Sequence, residues 1–340
     1  MKRFVITGGG TGGHLSIARA LLEALKAQGD EAIFIGSTAG QDRRWFEEQS
    51  GFGAVHFLPT TGVVNRRGLA KVAALGHAVR SALKARQIIR AYGACGVISV
   101  GGFSAAPAAL AAVAMRLPLF IHEQNAVMGR LNRLLRPRAR LFFSSYDDAS
   151  PVQSYPVSAK VFENARRREK IETVIFLGGS QGAKAVNDFA LSVVPSLRAK
   201  GIAVIHQCGE RDFERVRRAY DAAGVKGVEL YGFTPELPAL LARSDLAVSR
   251  AGASTLWELA ASGLPALFVP YPYAAGDHQY HNAKFLVDRG LAWLAREPEL
   301  TPELLENILE SDVSRVSEGL LALGGKDAAA EIITKIKEAC

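Results

Sequence analysis

Short apolar runs recur along the chain, and each is followed by a stretch whose apolar residues repeat at helical spacing. The first run is Phe4–Thr7, and Ile17 and Leu21 then fall on one face of a predicted helix. Gly29 follows at a position where helices commonly end in glycine. Because strands and helices alternate in this way, the pattern predicts parallel strands in doubly wound sheets, an α/β fold.

The predicted strands fall into two series, separated by a segment that carries prolines and a run of charge. The first series is Phe4–Thr7, Ala32–Gly36, Val97–Val100, Leu119–His122 and Leu141–Ser144, and the second is Thr173–Leu177, Ala203–Gln207, Val228–Tyr231, Leu246–Ser249 and Leu267–Pro270. The segment Ser150–Lys170 between them is the candidate linker. The pattern therefore predicts two Rossmann-like domains that face each other across a cleft.

Composition is consistent with two soluble domains. A chain of 340 residues is longer than one typical core requires, and 49% hydrophobic with 22% charged residues is typical of globular proteins. No apolar run reaches the about 18 residues that span a bilayer. The N-terminus enters a strand directly, so we expect no signal peptide and a location on the cytoplasmic side. Cys95, Cys208 and Cys340 are too scattered to predict a disulfide framework or a thiolate zinc site.

The charge balance favours anionic partners. The formal net charge is +8, and its local clusters include 133–140 and 166–170. Nucleic acid, phosphorylated substrates and an acidic membrane surface would all suit this charge. Nucleic-acid binding would rest on net charge alone, because no recognition motif accompanies it, and we do not expect it.

Three glycine-rich loops each follow a predicted strand and open a predicted helix. They are Gly8–His14, Gly101–Pro107 and Gly178–Ala183. Glycine lets the backbone approach a ligand closely, and the N–H groups of a helix N-terminus attract an anion. The three loops therefore predict contacts with phosphate or diphosphate groups at the carboxyl ends of the strands.

Two common phosphate-binding motifs do not fit these loops. Gly8, Gly10 and Gly13 have the spacing of a dinucleotide fingerprint, but the second strand ends in Ile35–Thr38 without the carboxylate that would bind a ribose. An NAD-linked oxidoreductase is therefore a weak alternative. The loop at Gly178 lacks the Gly-Lys-Ser/Thr of a Walker A sequence.

Together with His122–Ala126 and Ser249–Asn282, the loops carry a resemblance that runs in order across nearly the whole chain. The chain resembles the N-acetylglucosaminyltransferases of peptidoglycan synthesis in glycosyltransferase family 28. That resemblance implies a GT-B fold and inverting transfer of N-acetylglucosamine from UDP-GlcNAc to the C4 hydroxyl of N-acetylmuramoyl-pentapeptide-pyrophosphoryl-undecaprenol (lipid I), which gives lipid II. Two alternatives stay open: a UDP-GlcNAc 2-epimerase and a non-catalytic nucleotide-sugar binding protein.

The resemblance also implies the domains and the site residues. Residues 1–157 with 319–340 would form the acceptor and membrane-contacting domain, and residues 158–318 the UDP-GlcNAc-binding domain. His14 and Asn125 would be catalytic, and Gly101, Gly102 and Ser104 would contact the acceptor diphosphate. The donor contacts would be Thr11, Gly12, Gly13, Asn125, Ser180, Thr234, Gly252, Ala253, Ser254, Thr255, Leu256, Trp257, Glu258, His278 and Gln279.

Individual roles follow from the same resemblance. Ser180 would contact the diphosphate, the Thr234 backbone the uracil, Glu258 the ribose, and His278 with Gln279 the sugar hydroxyls. One departure is that 155–158 reads Tyr-Pro-Val-Ser, where many relatives have an arginine that contacts the donor. Neither Lys160 nor Arg166 is expected to replace that arginine.

The expected chemistry needs a base for the attacking hydroxyl and stabilisation of the departing diphosphate. His14 is the candidate base, because imidazole titrates near neutrality, although a histidine that orients its own loop is an equal alternative. No Asp-x-Asp pair occurs, and a helix N-terminus can stabilise a diphosphate instead. We therefore expect no required cofactor and no metal ligands, His278 and His281 included, with a divalent cation at most non-essential.

The segment Val63–Val72 mixes apolar and basic residues. On its own it is typical of an ordinary amphipathic helix and loop, but a lipid acceptor favours peripheral contact with the membrane. The expected partners are UDP-GlcNAc, lipid I, the anionic inner leaflet of the cell membrane and, more speculatively, other cell-wall synthesis proteins.

Overall fold

The computed structural model describes residues 1–48, 51–60, 69–179 and 183–340, with the backbone alone for residues 69–75. Ser180 and 63–68 of the proposed membrane segment lie outside the described residues. The chain divides into two compact units: unit 1 comprises residues 1–158 and 325–340, and unit 2 comprises residues 159–324.

Unit 1 contains a six-stranded parallel sheet in the order β3-β2-β1-β4-β5-β6. Its strands are β1 (Arg3–Thr7), β2 (Glu31–Ser37), β3 (Val55–Leu58), β4 (Gly96–Ser99), β5 (Leu119–Glu123) and β6 (Leu141–Ser144). Its helices are α1 (Gly12–Ala27), α2 (Asp42–Phe46), α3 (Leu69–Tyr92), α4 (Ala106–Ala114) and α5 (Arg130–Leu135), with α14 (Ala328–Ala339) at the end of the chain.

Unit 2 repeats this design with the order β12-β11-β10-β7-β8-β9, again all parallel. Its strands are β7 (Thr173–Leu177), β8 (Ala203–Gln207), β9 (Val228–Tyr231), β10 (Leu246–Ser249), β11 (Ala266–Phe268) and β12 (Trp293–Leu294). Its helices are α6 (Ala159–Phe162), α7 (Lys184–Ala199), α8 (Phe213–Ala222), α9 (Leu237–Arg243), α10 (Ala253–Ala261), α11 (His278–Val287), α12 (Pro302–Leu309) and α13 (Val313–Ala322).

Both sheets are buried on their two faces, which explains the nearly continuous apolar runs of their central strands. In unit 1, Val5 of β1 pairs in register with Ile33 of β2 and Val97 of β4, and all three are fully or almost fully buried. Two strands were not predicted. β3 is an edge strand whose first three residues are partly exposed, and β12 has only two residues.

The C-terminal helix returns to unit 1 at Gly325, later than the predicted Gly319. The predicted boundary falls inside α13, and this helix packs on unit 2. Ser317 of α13 donates its hydroxyl to the carbonyl of Gly263 and accepts a hydrogen bond from the backbone of Arg168. In unit 1, α14 packs along α1 instead.

Within residues 1–48, 51–60, 69–179 and 183–340, no helix combines the length and the apolar character that crossing a membrane requires.

Candidate active site

In unit 1, the loops after β1 and β4 meet at the topological switch point, where ligands bind in doubly wound sheets. The backbone N–H of Gly9 donates to the carbonyl of Gly101 over 3.1 Å. A Cβ added to Gly8 would lie 2.5 Å from that carbonyl oxygen, and one added to Gly102 would lie 2.1 Å from the oxygen of Gly9. These glycines are therefore required first by the close packing of the two loops.

Asp42, at the start of α2, holds the loop after β1 through hydrogen bonds to its carboxylate. Its Oδ1 accepts from the backbone N–H of Gly10 over 2.5 Å, and its Oδ2 accepts from that of Ser37 over 2.7 Å. Burial raises the pKa of this carboxyl, while the backbone hydrogen bonds from Gly10 and Ser37 lower it. The contact of Ser104 with an acceptor diphosphate stays a prediction, and its complete burial does not favour it.

His14, in the first turn of α1, is surrounded by three neighbouring loops. Its Nδ1 lies 2.9 Å from the Thr11 hydroxyl. The Gln124 amide nitrogen, which follows β5, lies 2.9 Å from Nε2 and 3.3 Å from Nδ1 of the ring. A Cβ on Gly101 would lie only 3.3 Å from the ring. This geometry is compatible with His14 as a general base and also with His14 as a residue that orients its own loop.

Glu123 organises the loop that carries Asn125. The buried carboxylate accepts from the backbone N–H groups of Asn125 and Gly129, and from the Asn132 side-chain amide, over 2.9–3.0 Å. Asn125 itself is half-buried. The loop after β5 is thus shaped by a fully bonded acid, which leaves Glu123 a structural role.

His122 is a second imidazole near the first. It is 1% exposed, its ring packs edge-on against Tyr155 at 5.6 Å, and its Nδ1 has no hydrogen-bond partner among the described residues. Burial, and next the charge of His14, lower the pKa of His122 to about 3. His122 is therefore neutral at physiological pH.

In unit 2, the equivalent edge lies where β7 and β10 end side by side. Gln207 supports the start of the loop after β7: its Oε1 accepts from the N–H of Gly179 over 3.1 Å, and its amide donates to the carbonyls of Gly179 and Gly232. Beyond Ser180–Gly182, which are not described, α7 begins at Lys184 with sixteen residues. A helix of this length directs its N-terminal N–H groups toward that loop.

The predicted nucleotide-binding segment Gly252–Trp257 is the N-cap and the first turns of α10. Leu256 is fully buried, so its side chain belongs to the core. Gly252 has φ −63°, and a Cβ there would have no described heavy atom within 4 Å. This combination leaves open space at the helix N-terminus.

Glu258 is the sixth residue of α10, so the alternative of an acid placed in the first turn by the helix dipole is not supported. The side chain is half-buried, and burial raises the pKa of its carboxyl to about 7. Among the described residues, no hydrogen bond or ion pair compensates for this burial. An acid kept in such surroundings is a candidate for binding a ligand.

The remaining predicted donor contacts lie on the loops around this edge. Thr234 follows β9, and its hydroxyl accepts from the N–H of Glu236 over 3.0 Å. His278 begins α11, burial lowers its pKa, and its buried Nδ1 has no partner among the described residues. Gln279 accepts from the N–H of Tyr271 over 2.9 Å, which occupies its amide oxygen. Their contacts with a donor stay predictions.

Two family models match the chain, the N-terminal domain of glycosyltransferase family 28 over residues 4–143 and its C-terminal domain over residues 173–325. The chain belongs to glycosyltransferase family 28. The family and the α/β fold predicted from the motifs are thereby confirmed, and the two parallel sheets are those of a GT-B glycosyltransferase.

Relatives in this family match over nearly their full length. The chain is 56% identical, over 98% of both chains, to a Sulfurimonas denitrificans protein named UDP-N-acetylglucosamine--N-acetylmuramyl-(pentapeptide) pyrophosphoryl-undecaprenol N-acetylglucosamine transferase. It is 53% identical, over 96% of both chains, to a Wolinella succinogenes protein of the same name. The crystal structure of Acinetobacter baumannii MurG superposes with a TM-score of 0.78 at 27% identity, covering 98% of this chain and 100% of that one.

Arg166, which follows the position where this family 28 chain has Ser158, is hydrogen-bonded within unit 2. Its guanidinium donates to the carbonyls of Ala242 and Ser244 and to Asp245 over 2.6–3.1 Å, at the C-terminal end of α9. Lys160 is exposed on the four-residue helix α6. The contacts of Arg166 stabilise unit 2, and the expectation that neither residue replaces the missing arginine stays a prediction.

Across residues 1–48, 51–60, 69–179 and 183–340 of this glycosyltransferase, no group of three or more histidine, cysteine, aspartate or glutamate side chains is arranged to hold an ion.

Sequence reasoning missed Asp42, Gln124 and Gln207. The dinucleotide-binding pattern places its acidic residue at the end of β2, whereas Asp42 lies five residues beyond that end. Gln124 stands inside the motif His122–Ala126, directly before Asn125, and Gln207 ends a strand. Each acts through a contact with a distant loop, and no local pattern in the sequence marks such a contact.

Proposed function

We propose that this protein transfers N-acetylglucosamine from UDP-N-acetylglucosamine to N-acetylmuramyl-(pentapeptide) pyrophosphoryl-undecaprenol, with inversion at the anomeric carbon. The observation that carries the proposal is the match of 56% identity, across 98% of both chains, to a relative named for this transfer. A 2-epimerase or a binding protein would share the fold, but neither explains a full-length match of that closeness.

In the proposed reaction, unit 2 binds the donor. Glu258 accepts hydrogen bonds from the ribose hydroxyls, since its carboxyl has no described protein partner. The N-termini of α7 and α10 direct N–H groups toward the diphosphate, where negative charge develops as the sugar leaves. The proposal therefore requires no metal, although a divalent cation would be compatible with it.

Unit 1 supplies the base. The acceptor hydroxyl gives its proton to His14 while its oxygen bonds to the anomeric carbon, and the bond from that carbon to UDP breaks with its electron pair on the diphosphate. In this proposal His14 carries its proton on Nδ1 and donates a hydrogen bond to the Thr11 hydroxyl, 2.9 Å away, which leaves the lone pair on Nε2. Asn125 faces the transferred sugar in this proposal.

We also propose that unit 1 contacts the anionic cytoplasmic face of the membrane. Val79 and Leu83, one turn apart on α3, are 54% and 55% exposed, and Arg80 and Lys84 beside them are exposed as well. Apolar side chains flanked by cations suit a peripheral contact with acidic lipids. Co-sedimentation that is equal with neutral and anionic vesicles would count against it.

The deciding experiment supplies labelled UDP-N-acetylglucosamine and a short-chain analogue of the lipid acceptor, then measures label in the lipid product. Transfer supports the proposal. Epimerised UDP-sugar without transfer would identify the epimerase, and binding without turnover would identify a non-catalytic protein. Repeating the assay in excess chelator tests the metal-independent form of the proposal.

His14→Ala tests the base. Transfer should fall by about a hundredfold or more, because a general base contributes 10²–10⁴-fold, while UDP-sugar binding is retained. His77→Ala, on an exposed part of α3, is the matched control and should transfer normally. Near-normal turnover in the His14 variant would leave this residue only its role in the loop.

A further inference from the structure

Gln124 is a buried residue whose side-chain amide forms contacts through its nitrogen but not through its oxygen. The residue is 7% exposed and follows β5 directly. Its amide nitrogen contacts the His14 imidazole, whereas its Oε1 is buried without a hydrogen-bond partner among the described residues. A buried amide oxygen without a partner lowers the stability of the folded state, so this orientation calls for an explanation.

The two distances define where the amide nitrogen lies on the ring. It is 2.9 Å from Nε2 and 3.3 Å from Nδ1 of His14. An atom in the ring plane along one nitrogen's lone pair would be much further from the other nitrogen, and an in-plane position between them would collide with the carbon that joins them. The amide nitrogen therefore lies over the ring face and directs N–H toward the π system.

This position has an electrostatic consequence. An N–H group over the face is attracted to a neutral imidazole and repelled by an imidazolium, so the contact disfavours protonation of His14. A half-turn of the amide about its last side-chain torsion would bring Oε1 over the ring instead. The carbonyl oxygen would then stabilise the imidazolium and would no longer lack a partner.

We propose that Gln124 is a positioning residue whose amide keeps His14 unprotonated before transfer and turns its oxygen to the ring once the acceptor's proton has arrived. The inference rests on the proposed function, because it assigns Gln124 to the base of that reaction. Gln124 contacts neither substrate. It acts only through the protonation of His14.

Several ionisable side chains on the elements around His14 are either neutral or bonded elsewhere. His122 on β5 is buried and neutral, and Glu123 on β5 is occupied by three donors. The Asp42 carboxylate on α2 accepts from the backbone of the first loop. Arg19, further along α1, lies over the Trp45 ring. Gln124 and Thr11 are thus two uncharged polar side chains in direct contact with the ring, and Gln124 is the one that can be replaced by an isosteric acid.

The test uses the full-length chain and two variants, Gln124→Glu and Gln124→Met. NMR titration of the His14 ring, assigned by its loss in His14→Ala, measures its pKa without any need for turnover. The carboxylate should raise this pKa by about one unit or more, and Met should raise it less, because it only removes the donor. The acidic limb of the kcat/KM profile should move upward by the same amounts.

The pH profile separates positioning from damage to the fold. In Gln124→Glu, transfer should be lost near neutrality and recover at alkaline pH, where His14 is again unprotonated. Gln87→Glu, the same change on an exposed turn of α3, should move neither the pKa nor the profile. An unchanged His14 pKa in Gln124→Glu would overturn the inference, as would a loss that alkaline pH does not relieve. If the wild type makes no lipid product, the proposed function fails, and the titration still decides whether Gln124 controls His14.

Discussion

The two switch points share one topology, but Gly8 and Gly102 of unit 1 have different surroundings from Gly252 of unit 2. In unit 1, Gly8 and Gly102 face backbone atoms of the neighbouring loop, and a Cβ on either would lie within 2.5 Å of a carbonyl oxygen. In unit 2, a Cβ added to Gly252 would have no described heavy atom within 4 Å. Glycine in unit 1 allows the protein to pack against itself, whereas Gly252 leaves space that a ligand can occupy.

The carboxylates beside the two switch points differ in the same way. Asp42 in unit 1 accepts from two backbone N–H groups, so its acceptor capacity serves the loop. Glu258 in unit 2 has no partner among the described residues, and burial raises its pKa to about 7. The comparison indicates that similar glycine patterns can lie beside acids in different surroundings, since Asp42 is hydrogen-bonded to its loop and Glu258 has no described partner.

Gly102→Ala is expected to have the largest effect. The residue has φ +79°, and the new Cβ would meet the carbonyl oxygen of Gly9 at 2.1 Å. Strain at positive φ and overpacking together should lower the free energy of unfolding by about 3 kcal/mol, measured by urea denaturation. Gly76→Ala, inside α3 with open space around it, should instead stabilise by about 1 kcal/mol. Equal stability of Gly102→Ala and the wild type would refute the idea that these loops need glycine for their own packing.

Glu258→Gln should raise the stability of the folded protein at alkaline pH while it weakens the binding of the donor. The carboxyl pKa is about 7 in the folded protein and about 4.3 when unfolded, so the folded state retains a proton that the unfolded state releases. Stability therefore falls as pH rises from about 4 to 7, and glutamine removes that fall. At pH 8 the variant should be about 1–2 kcal/mol more stable than the wild type by thermal or urea unfolding, with little difference at pH 4.

The same variant should bind UDP-N-acetylglucosamine at least about tenfold more weakly in calorimetry, because a hydrogen bond to a charged acceptor is worth about 1.5–3 kcal/mol. Glu303→Gln, exposed in the first turn of α12, is the control and should change neither quantity much. Lower stability at pH 8 would show that Glu258 has a structural partner. Unchanged affinity would remove it from the donor site.

Much of the fold could be predicted because central parallel strands are buried on both faces. Val174 and Val204 lie in apolar runs that stand out from the helical stretches around them. The edge strand Val55–Leu58 was missed because its first three residues are partly exposed, so its sequence is not a continuous apolar run that differs from the segments around it. The predicted unit boundary at Gly319 fell inside α13, because helical periodicity does not reveal that Ser317 of this helix donates a hydrogen bond to Gly263 of unit 2.

The site was predicted less completely, for a related reason. Glycine loops are visible because glycine is needed locally, whether for a ligand or for another loop. The acids and amides that hold those loops are not visible in the same way, since Asp42 reaches Gly10 across 32 positions and Gln124 reaches His14 across 110. Such contacts depend on strand order, which no local pattern contains.

Gly252→Ser should have the smallest effect on the fold and gives the sharpest comparison with Gly102. Its φ of −63° and ψ of 136° are open to any residue, a Cβ there meets no described atom within 4 Å, and serine is a favoured N-cap. The free energy of unfolding should stay within about 0.5 kcal/mol of the wild type. The KM for UDP-N-acetylglucosamine should nevertheless rise, because the side chain fills space that the donor would use. A normal KM with normal stability would mean that the space beside Gly252 holds no ligand. The contrast between the two glycines would then describe packing alone.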